Sequence, residues 1–285
     1  MPHNTRSVLI TGCSNGGIGS ALALAFSKHQ ELHVYASARN ISKMSDLEAI
    51  PNITLVSLDV TSQESAAAAA ERLRVARDGR LDYLVNNAGC GYTMPYLDTD
   101  IEIARRMFDV NVWGPMRVTQ AFSDMLVQAR GMVVTIGSTA ESLGLAFQST
   151  YCGSKAATHI MSEALRLELE PLGVRHLHVT TSFVKTVWFQ NVPEFELPQT
   201  SHYRPVQDRV AFMASGGGQA TMDVSVYADR VVADVLAGQC HRTFRGKSAS
   251  LIGWAMSLLP RGLVTQLAAA DSGLSELKKI VSEKQ

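Results

Sequence analysis

The chain carries no excess charge of either sign: 26 Lys and Arg balance 26 Asp and Glu over 285 residues. Without a basic field, nucleic acid is not expected as a partner. Cysteines are few. Cys13, Cys90, Cys152 and Cys240 lie far apart, with no Cys-x-x-Cys pair. That spacing argues against a disulfide framework or a zinc site and fits reduced thiols inside a cell. The N-terminal stretch has no long apolar run after its first charge, so a secretory leader is not expected. No stretch reaches the roughly 18 uninterrupted apolar residues of a spanning helix. Internal repeats and low-complexity linkers are missing. His159, His176, His178, His202 and His241 show no ligand spacing such as His-Glu-x-x-His, so no metal is expected. The expected location is cytoplasmic.

Apolar residues make up 46% of the chain and charged residues 18%, an ordinary globular stock. The length suits one large domain spanning 1–285. β-rich runs at 7–10, 33–36, 53–58, 83–85, 132–136 and 176–181 alternate with helical stretches at 20–29, 64–77, 100–128 and 151–170. A break is expected near Gly114-Pro115. A further helix is expected at 224–236, a strand near 243–244, and a helical extension over 249–285. Strands alternating with helices predict an α/β fold: a doubly wound parallel sheet with helices on both faces. The Pro- and Gly-interrupted stretch within 187–225 exceeds an ordinary connection and reads as a substrate lid.

The first strand runs into Gly12-Cys13-Ser14-Asn15-Gly16-Gly17-Ile18-Gly19, which opens the first helix. Glycines let a backbone turn tightly and approach a pyrophosphate, and a helix N-terminus offers N–H groups and partial positive charge. About 20 residues on, an acid would hold the 2′-hydroxyl of NAD. This chain has Arg39 there and no acid. Arg39 can pair with a 2′-phosphate, so NADP(H) is the expected cofactor.

Beyond the glycine turn come Asp59-Val60, Asn86-Asn87-Ala88-Gly89, Asn111, Ser138 and Tyr151-Cys152-Gly153-Ser154-Lys155. In this order, over about residues 5–190, they resemble the short-chain dehydrogenase/reductase superfamily. The resemblance extends to the subgroup containing fungal acyl-dihydroxyacetone-phosphate reductases and, more distantly, hydroxysteroid dehydrogenases. It implies a Rossmann-type fold and a catalytic set of Asn111, Ser138, Tyr151 and Lys155. Tyr151 and Lys155 are four apart and share a helix face. A phenol titrates near 10, and an adjacent cation lowers that value. Lys155 would supply the cation, Ser138 would hydrogen-bond the substrate oxygen, and Asn111 would anchor a water serving Lys155. The cofactor contacts implied are Gly12, Ser14, Asn15, Gly17, Ile18, Gly19, Arg39, Asp59, Val60, Asn87, Ala88, Gly89, Tyr151, Lys155, Val184 and Thr186. One departure stands out. The family's Pro-Gly after the sixth strand is here Thr181-Ser182.

Around Ser138 and Tyr151 the sequence is apolar, with Phe147, Trp188 and Phe189 as expected substrate contacts. An apolar wall implies a small hydrophobic substrate: a lipid, a terpenoid or steroid, or a polyketide. The favoured function is an NADP-dependent oxidoreductase interconverting ketone and secondary alcohol. The alternatives are a non-catalytic NADP-binding sensor or scaffold, and an isomerase or dehydratase on the same fold. By resemblance, the helices at 100–128 and 151–170 would form a homodimer or homotetramer. The segment Leu251–Leu259 reads first as a core or subunit-interface helix, second as a peripheral membrane anchor.

Overall fold

A computed structural model describes residues 5–283 apart from 191 and 194. Those two positions of the expected lid, and the chain ends, lie outside the described residues. Among the described residues, seven strands, β1 (Arg6–Thr11), β2 (Leu32–Ala38), β3 (Ile53–Ser57), β4 (Tyr83–Asn86), β5 (Met132–Ile136), β6 (Arg175–Thr181) and β7 (His241–Arg245), form one sheet. Its order is β3-β2-β1-β4-β5-β6-β7, and every pairing is parallel. The strand order reverses between β1 and β4. Crossovers leave in opposite directions there and open a crevice beyond the carboxyl ends of the strands.

The helices of the first half are α1 (Ile18–Ser27), α2 (Ser45–Glu48), α3 (Gln63–Ala76), α4 (Ile101–Phe108), α5 (Gly114–Ala121) and α6 (Ser123–Ala129). Those of the second are α7 (Ser149–Leu169), α8 (Gln207–Ala214), α9 (Val224–Leu236), α10 (Ala249–Leu258), α11 (Arg261–Ala268) and α12 (Leu274–Ser282). Burial alternates along the strands and feeds two cores. Val8, Ile10 and Val134 meet Phe26 of α1 and Val231 of α9 on one face. Leu9, Leu84 and Val133 meet Leu73 of α3 and Phe122 on the other. Burying each such side chain contributes about 1.5–3 kcal/mol.

The bend expected near Gly114-Pro115 is found one turn earlier, as a widened π turn over Asp109–Trp113. Pro115 has no N–H to offer the carbonyl of Asn111, four residues before it. Thr158 Oγ1 of α7 donates to that carbonyl instead, at 2.7 Å. The short α2 between β2 and β3 was not expected. Four residues are too few to show a hydrophobic period, and only Leu47 is buried. The 190–222 stretch also contains a helix, α8, whose Val210 is buried.

Thr181-Ser182 in place of Pro-Gly leaves the chain extended, with Ser182 N–H donating to Arg245 O at 2.9 Å. Gly246 follows with φ +108°, where a Cβ would lie 2.8 Å from Ser182 O. The glycine of Phe244-Arg245-Gly246-Lys247 thus serves the altered exit of β6. Helix α10 is not a core helix along its whole girth. Ala249 and Gly253 are buried, whereas Leu251, Trp254 and Leu258 are more than half exposed.

Candidate active site

The turn after β1 is made almost wholly of main chain. Gly12 and Gly16 adopt φ +74° and +73°. A Cβ on Gly12 would lie 2.8 Å from Ala88 Cα, and one on Gly19 would lie 2.3 Å from Gly12 O. Thr11 Oγ1 accepts from the N–H groups of Asn87 and Ala88, and Asn87 Nδ2 donates to the carbonyls of Thr11 and Gly12. Asn87 therefore ties the end of β4 to the glycine turn. Helix α1 begins at Gly17 with no side-chain cap and no acid in its first turn. Its free N–H groups and dipole suit a phosphate. The cradle fits a dinucleotide.

Beyond it, Arg39 is exposed at the end of β2 and Ser37 is spent on Ile10 O. Asp59 Oδ1 accepts from the N–H and hydroxyl of Thr61. The Val60 carbonyl accepts from Arg117. Asn15 points away from the cradle: its side chain donates to Ser45 Oγ at 2.8 Å and fastens α2. Ser14 and Ile18 stay in the turn, Ile18 leaning on the core.

At the carboxyl end of β5 the other predicted residues converge. Tyr151 lies in the first turns of α7, with its phenol close to the Ser138 hydroxyl. Burial pushes that phenol up to about 12, with the nearby Ser138 hydroxyl opposing. The sequence led us to expect Lys155 to lower it. Here the Lys155 ammonium donates instead to Ile136 O at 3.2 Å, and burial dominates the phenol. Burial also lowers the Lys155 pKa, and the Glu141 carboxylate opposes this. Asn111, buried in the π turn, exchanges two hydrogen bonds with the main chain of Cys90 and donates to Ser154 Oγ. Its main-chain carbonyl accepts the Thr158 hydroxyl.

Over this centre lies the segment after β6. Met222 N–H donates to Phe183 O and Lys185 N–H to Met222 O, which hold the strap at Val184. Thr186 Oγ1 accepts from Trp188 N–H. The Trp188 ring lies 6.1 Å from the Tyr151 ring, and a Cβ on Gly91 would come within 3.1 Å of it. Gly89 faces the same ring and Lys155 Nζ. Phe147, at φ +63°, is buried and meets Tyr203 edge-on. Phe189 is not brought to Tyr151. It is partly exposed and packs on Gly216.

Sequence reasoning missed the group behind Ser138. Glu141 is fully buried and caps the turn on which Ser138 sits. Its carboxyl is held down to about 2 by hydrogen bonds from His178, Thr180 and Ser138 N–H, against the cost of burial. Glu141, His159 and His178 bring ligand atoms within 4.8 Å, a cation-like grouping that no spacing rule had suggested. A cation has little to gain there. The carboxylate already accepts four donors, one of them the Arg242 guanidinium.

With this geometry in view, comparison with known proteins is decisive. Residues 6–197 match the family model for short chain dehydrogenases. The chain belongs to the short-chain dehydrogenase family. Among relatives of this dehydrogenase is the short-chain dehydrogenase ptmH of Penicillium ochrochloron, 46% identical over 95% of this chain and 99% of the relative. The NADPH-dependent 1-acyldihydroxyacetone phosphate reductase of Schizosaccharomyces pombe is 41% identical over 70% of this chain and 68% of its own. A short-chain dehydrogenase from Burkholderia cenocepacia, solved with NADP, matches at a TM-score of 0.73 and 26% identity. That match covers 94% of this chain and 99% of the other. Enzyme class and Rossmann-type architecture follow. No helix among the described residues is long and apolar enough to cross a membrane.

Proposed function

We propose that this dehydrogenase is an NADP(H)-dependent oxidoreductase that interconverts a hydrophobic ketone and its secondary alcohol. The observation that carries the reading is the gathering of the buried Tyr151 phenol, the Ser138 hydroxyl, Lys155 and Asn111 at the mouth of the glycine cradle. NADPH, when bound, supplies the hydride. The chain's residues supply the rest. Tyr151, holding its proton well above neutral pH, donates it to the carbonyl oxygen in the reducing direction. Ser138 accepts from Ala140 N–H, which leaves its own O–H and one lone pair for Tyr151 and the substrate oxygen. Lys155 keeps two N–H groups beyond its bond to Ile136 O, enough to hold a ribose hydroxyl and to replenish the Tyr151 proton. The Asn111 carbonyl would seat a water for that relay.

The N–H groups of Ile18 and Gly19 in the first turn of α1 would take the pyrophosphate, while that of Gly17 closes the turn on Ser14 O. Arg39 would take the 2′-phosphate, Asp59 and Val60 the adenine, and Ala88, Gly89, Val184 and Thr186 the nicotinamide half. Asn87 serves by bracing the turn. Substrate would meet Phe147 and Trp188, in a wall continued by Tyr92, Met94 and Leu197, all three buried. Arg204 is used on the Leu197 carbonyl, and the Arg209 stem packs on Gly273. The apolar wall favours a lipid, terpenoid, steroid or polyketide ketone. Residues 187–225 would act as lid on a single domain. Exposed Ile101, Ile160 and Leu167 on α4 and α7 suit a homo-oligomer contact. The location we favour is the cytoplasm.

The test is titration with NADPH and NADH, followed by a ketone panel. NADPH should bind more tightly, and Arg39→Ala should cost about 10- to 100-fold for NADPH alone, the worth of a charge-assisted bond. Tyr151→Phe should retain binding and lose turnover by about 100-fold or more. Equal affinity for both nucleotides in wild type would overturn the cofactor assignment, and an active Tyr151→Phe would overturn the acid.

A further inference from the structure

Glu141 has no part in the reaction as described, yet it is a buried carboxylate placed three residues after Ser138. Its four acceptor positions are all filled. Oε2 accepts from Ser138 N–H at 3.0 Å and from His178 Nε2 at 2.9 Å. Oε1 accepts from Thr180 Oγ1 at 2.7 Å and from Arg242 Nη2 at 2.8 Å. The donors come from the turn after β5, from two alternate residues of β6, and from β7. Arg242 is itself held by a second bond from Nε to Thr180 Oγ1 and by stacking on the Phe244 ring. A carboxylate removed from water needs such a set, because an unpaired buried charge is costly.

The arrangement constrains the reacting groups at two points. Between Ile136, whose carbonyl receives Lys155, and Ser138, whose hydroxyl meets Tyr151, stands only Gly137. A Cβ on Gly137 would lie 2.2 Å from His178 Nε2 and 2.5 Å from Glu141 Oε2. The carboxylate therefore presses directly against the backbone that carries both contacts. The residue between them has no side chain because the carboxylate and imidazole occupy that space.

We propose that Glu141 is a positioning residue for the hydroxyl of Ser138, and that Arg242 on the edge strand locks it in place. The inference rests on the reaction reading above and adds a residue to it. Glu141 touches neither substrate nor cofactor in this proposal. It holds the Ser138 main chain so that the hydroxyl faces Tyr151 without searching for it. Because Arg242 reaches Glu141 from 101 residues along the chain, the position of Ser138 depends on docking of the last strand.

The experiment compares wild type with Glu141→Gln, Arg242→Met and the double variant, in the full chain. Gln keeps the shape but offers one acceptor oxygen. Its amide NH₂ must face two donors on one side or the other. With Arg242 present, the conflict is with a guanidinium. With Arg242→Met added, the NH₂ can donate to Thr180 Oγ1 while the oxygen keeps Ser138 N–H and His178. Glu141→Gln should lower kcat by about 10- to 100-fold, the effect of a slight misplacement at a reacting group. KM for the ketone and Kd for NADPH should stay within about threefold, well short of a one-kcal shift in binding. The double variant should recover part of kcat, and amide exchange across 137–140 should quicken in Glu141→Gln and slow again in the double variant. Should Glu141→Gln fail to fold, Arg242→Met alone leaves three donors and should show a smaller loss of kcat with binding unchanged.

A folded Glu141→Gln with wild-type kcat would overturn the proposal. So would kcat, KM and Kd all worsening in step with a lower Tm, the pattern of a merely structural role. If wild type itself turned over no ketone, the reaction reading would fall. Amide exchange would still judge whether Glu141 holds Ser138, since it needs no substrate.

Discussion

Two turns at the carboxyl ends of the strands meet in the crevice, and they are made differently. The turn after β1 is main chain against main chain. Gly19 has no room for a Cβ because Gly12 O lies 2.3 Å from where it would be. The turn after β5 is main chain against side chains. Gly137 has no room because His178 and Glu141 stand there. The first presents open N–H groups to an anion. The second presents one aimed hydroxyl. The glycine spacing of the first turn is local, although Asn87 and Ala88 brace it from the end of β4. A side-chain hub is fixed by residues 37, 39 and 101 positions from Glu141.

The largest expected effect is on the first turn. A carbonyl oxygen cannot swing aside as a side chain can, so Gly19→Ala must displace either β1 or α1. NADPH affinity should fall by about 100-fold or more, matching the loss of several charge-assisted bonds. Isothermal titration on the folded variant measures this. Retained affinity would mean the turn yields more than its main-chain contacts suggest.

Next is Gly137→Ala. Here the obstacles are side chains, but they are buried and hydrogen-bonded, so yielding breaks the network. We expect a loss of about 2–4 kcal/mol in stability, as for overpacking combined with a disturbed buried pair. Turnover should also drop while NADPH binding persists. Chemical denaturation and nucleotide titration on one sample separate the two turns: Gly19→Ala should fail chiefly in binding, and Gly137→Ala in stability and turnover.

The same contrast explains what could be read from the sequence. The glycine turn, Arg39, Tyr151 and Lys155 were legible because local spacing fixes their geometry. The doubly wound parallel sheet followed from alternation and crossover handedness. Glu141 was not legible, since nothing in Ser-Thr-Ala-Glu indicates that His178, Thr180 and Arg242 will surround it. Histidines judged separately by ligand spacing gave no hint that His159 and His178 would meet at one carboxylate. Asn15 and Phe189 were legible only as neighbours of functional residues. Adjacency put them in the site, but side-chain direction takes them out of it. The π turn at Asp109–Trp113 arises from a proline acting four residues back, which a bend rule places at the proline itself.

Acid should act on the second turn before the first. The Glu141 carboxyl is held at about 2 in the fold, below its ordinary 4.5. A depressed folded pKa means the network's stabilisation is complete above the ordinary value. It is then lost progressively as pH falls from about 4.5 toward 2. Between pH 5 and 3, wild type should lose several degrees more in Tm than Glu141→Gln, which has no proton to take up there. Parallel curves would show that the carboxylate contributes nothing to acid sensitivity.

The smallest effect sharpens the boundary of the first turn. Asn15 sits among the glycines, yet its amide holds Ser45 Oγ and its carbonyl oxygen accepts from Asp46 N–H at 3.4 Å. Both bonds are exposed, so Asn15→Ala should cost about 0.5–1 kcal/mol. For a chain of this size that is a fall of about 2–4 °C or less in Tm. Its main-chain N–H donates to Lys43 O at 2.7 Å and survives the substitution. NADPH affinity should therefore stay within about twofold, less than half a kcal/mol. A tenfold loss would mean that the Asn15 side chain turns toward the nucleotide on binding, and that the first turn offers the nucleotide a side chain as well as its main chain.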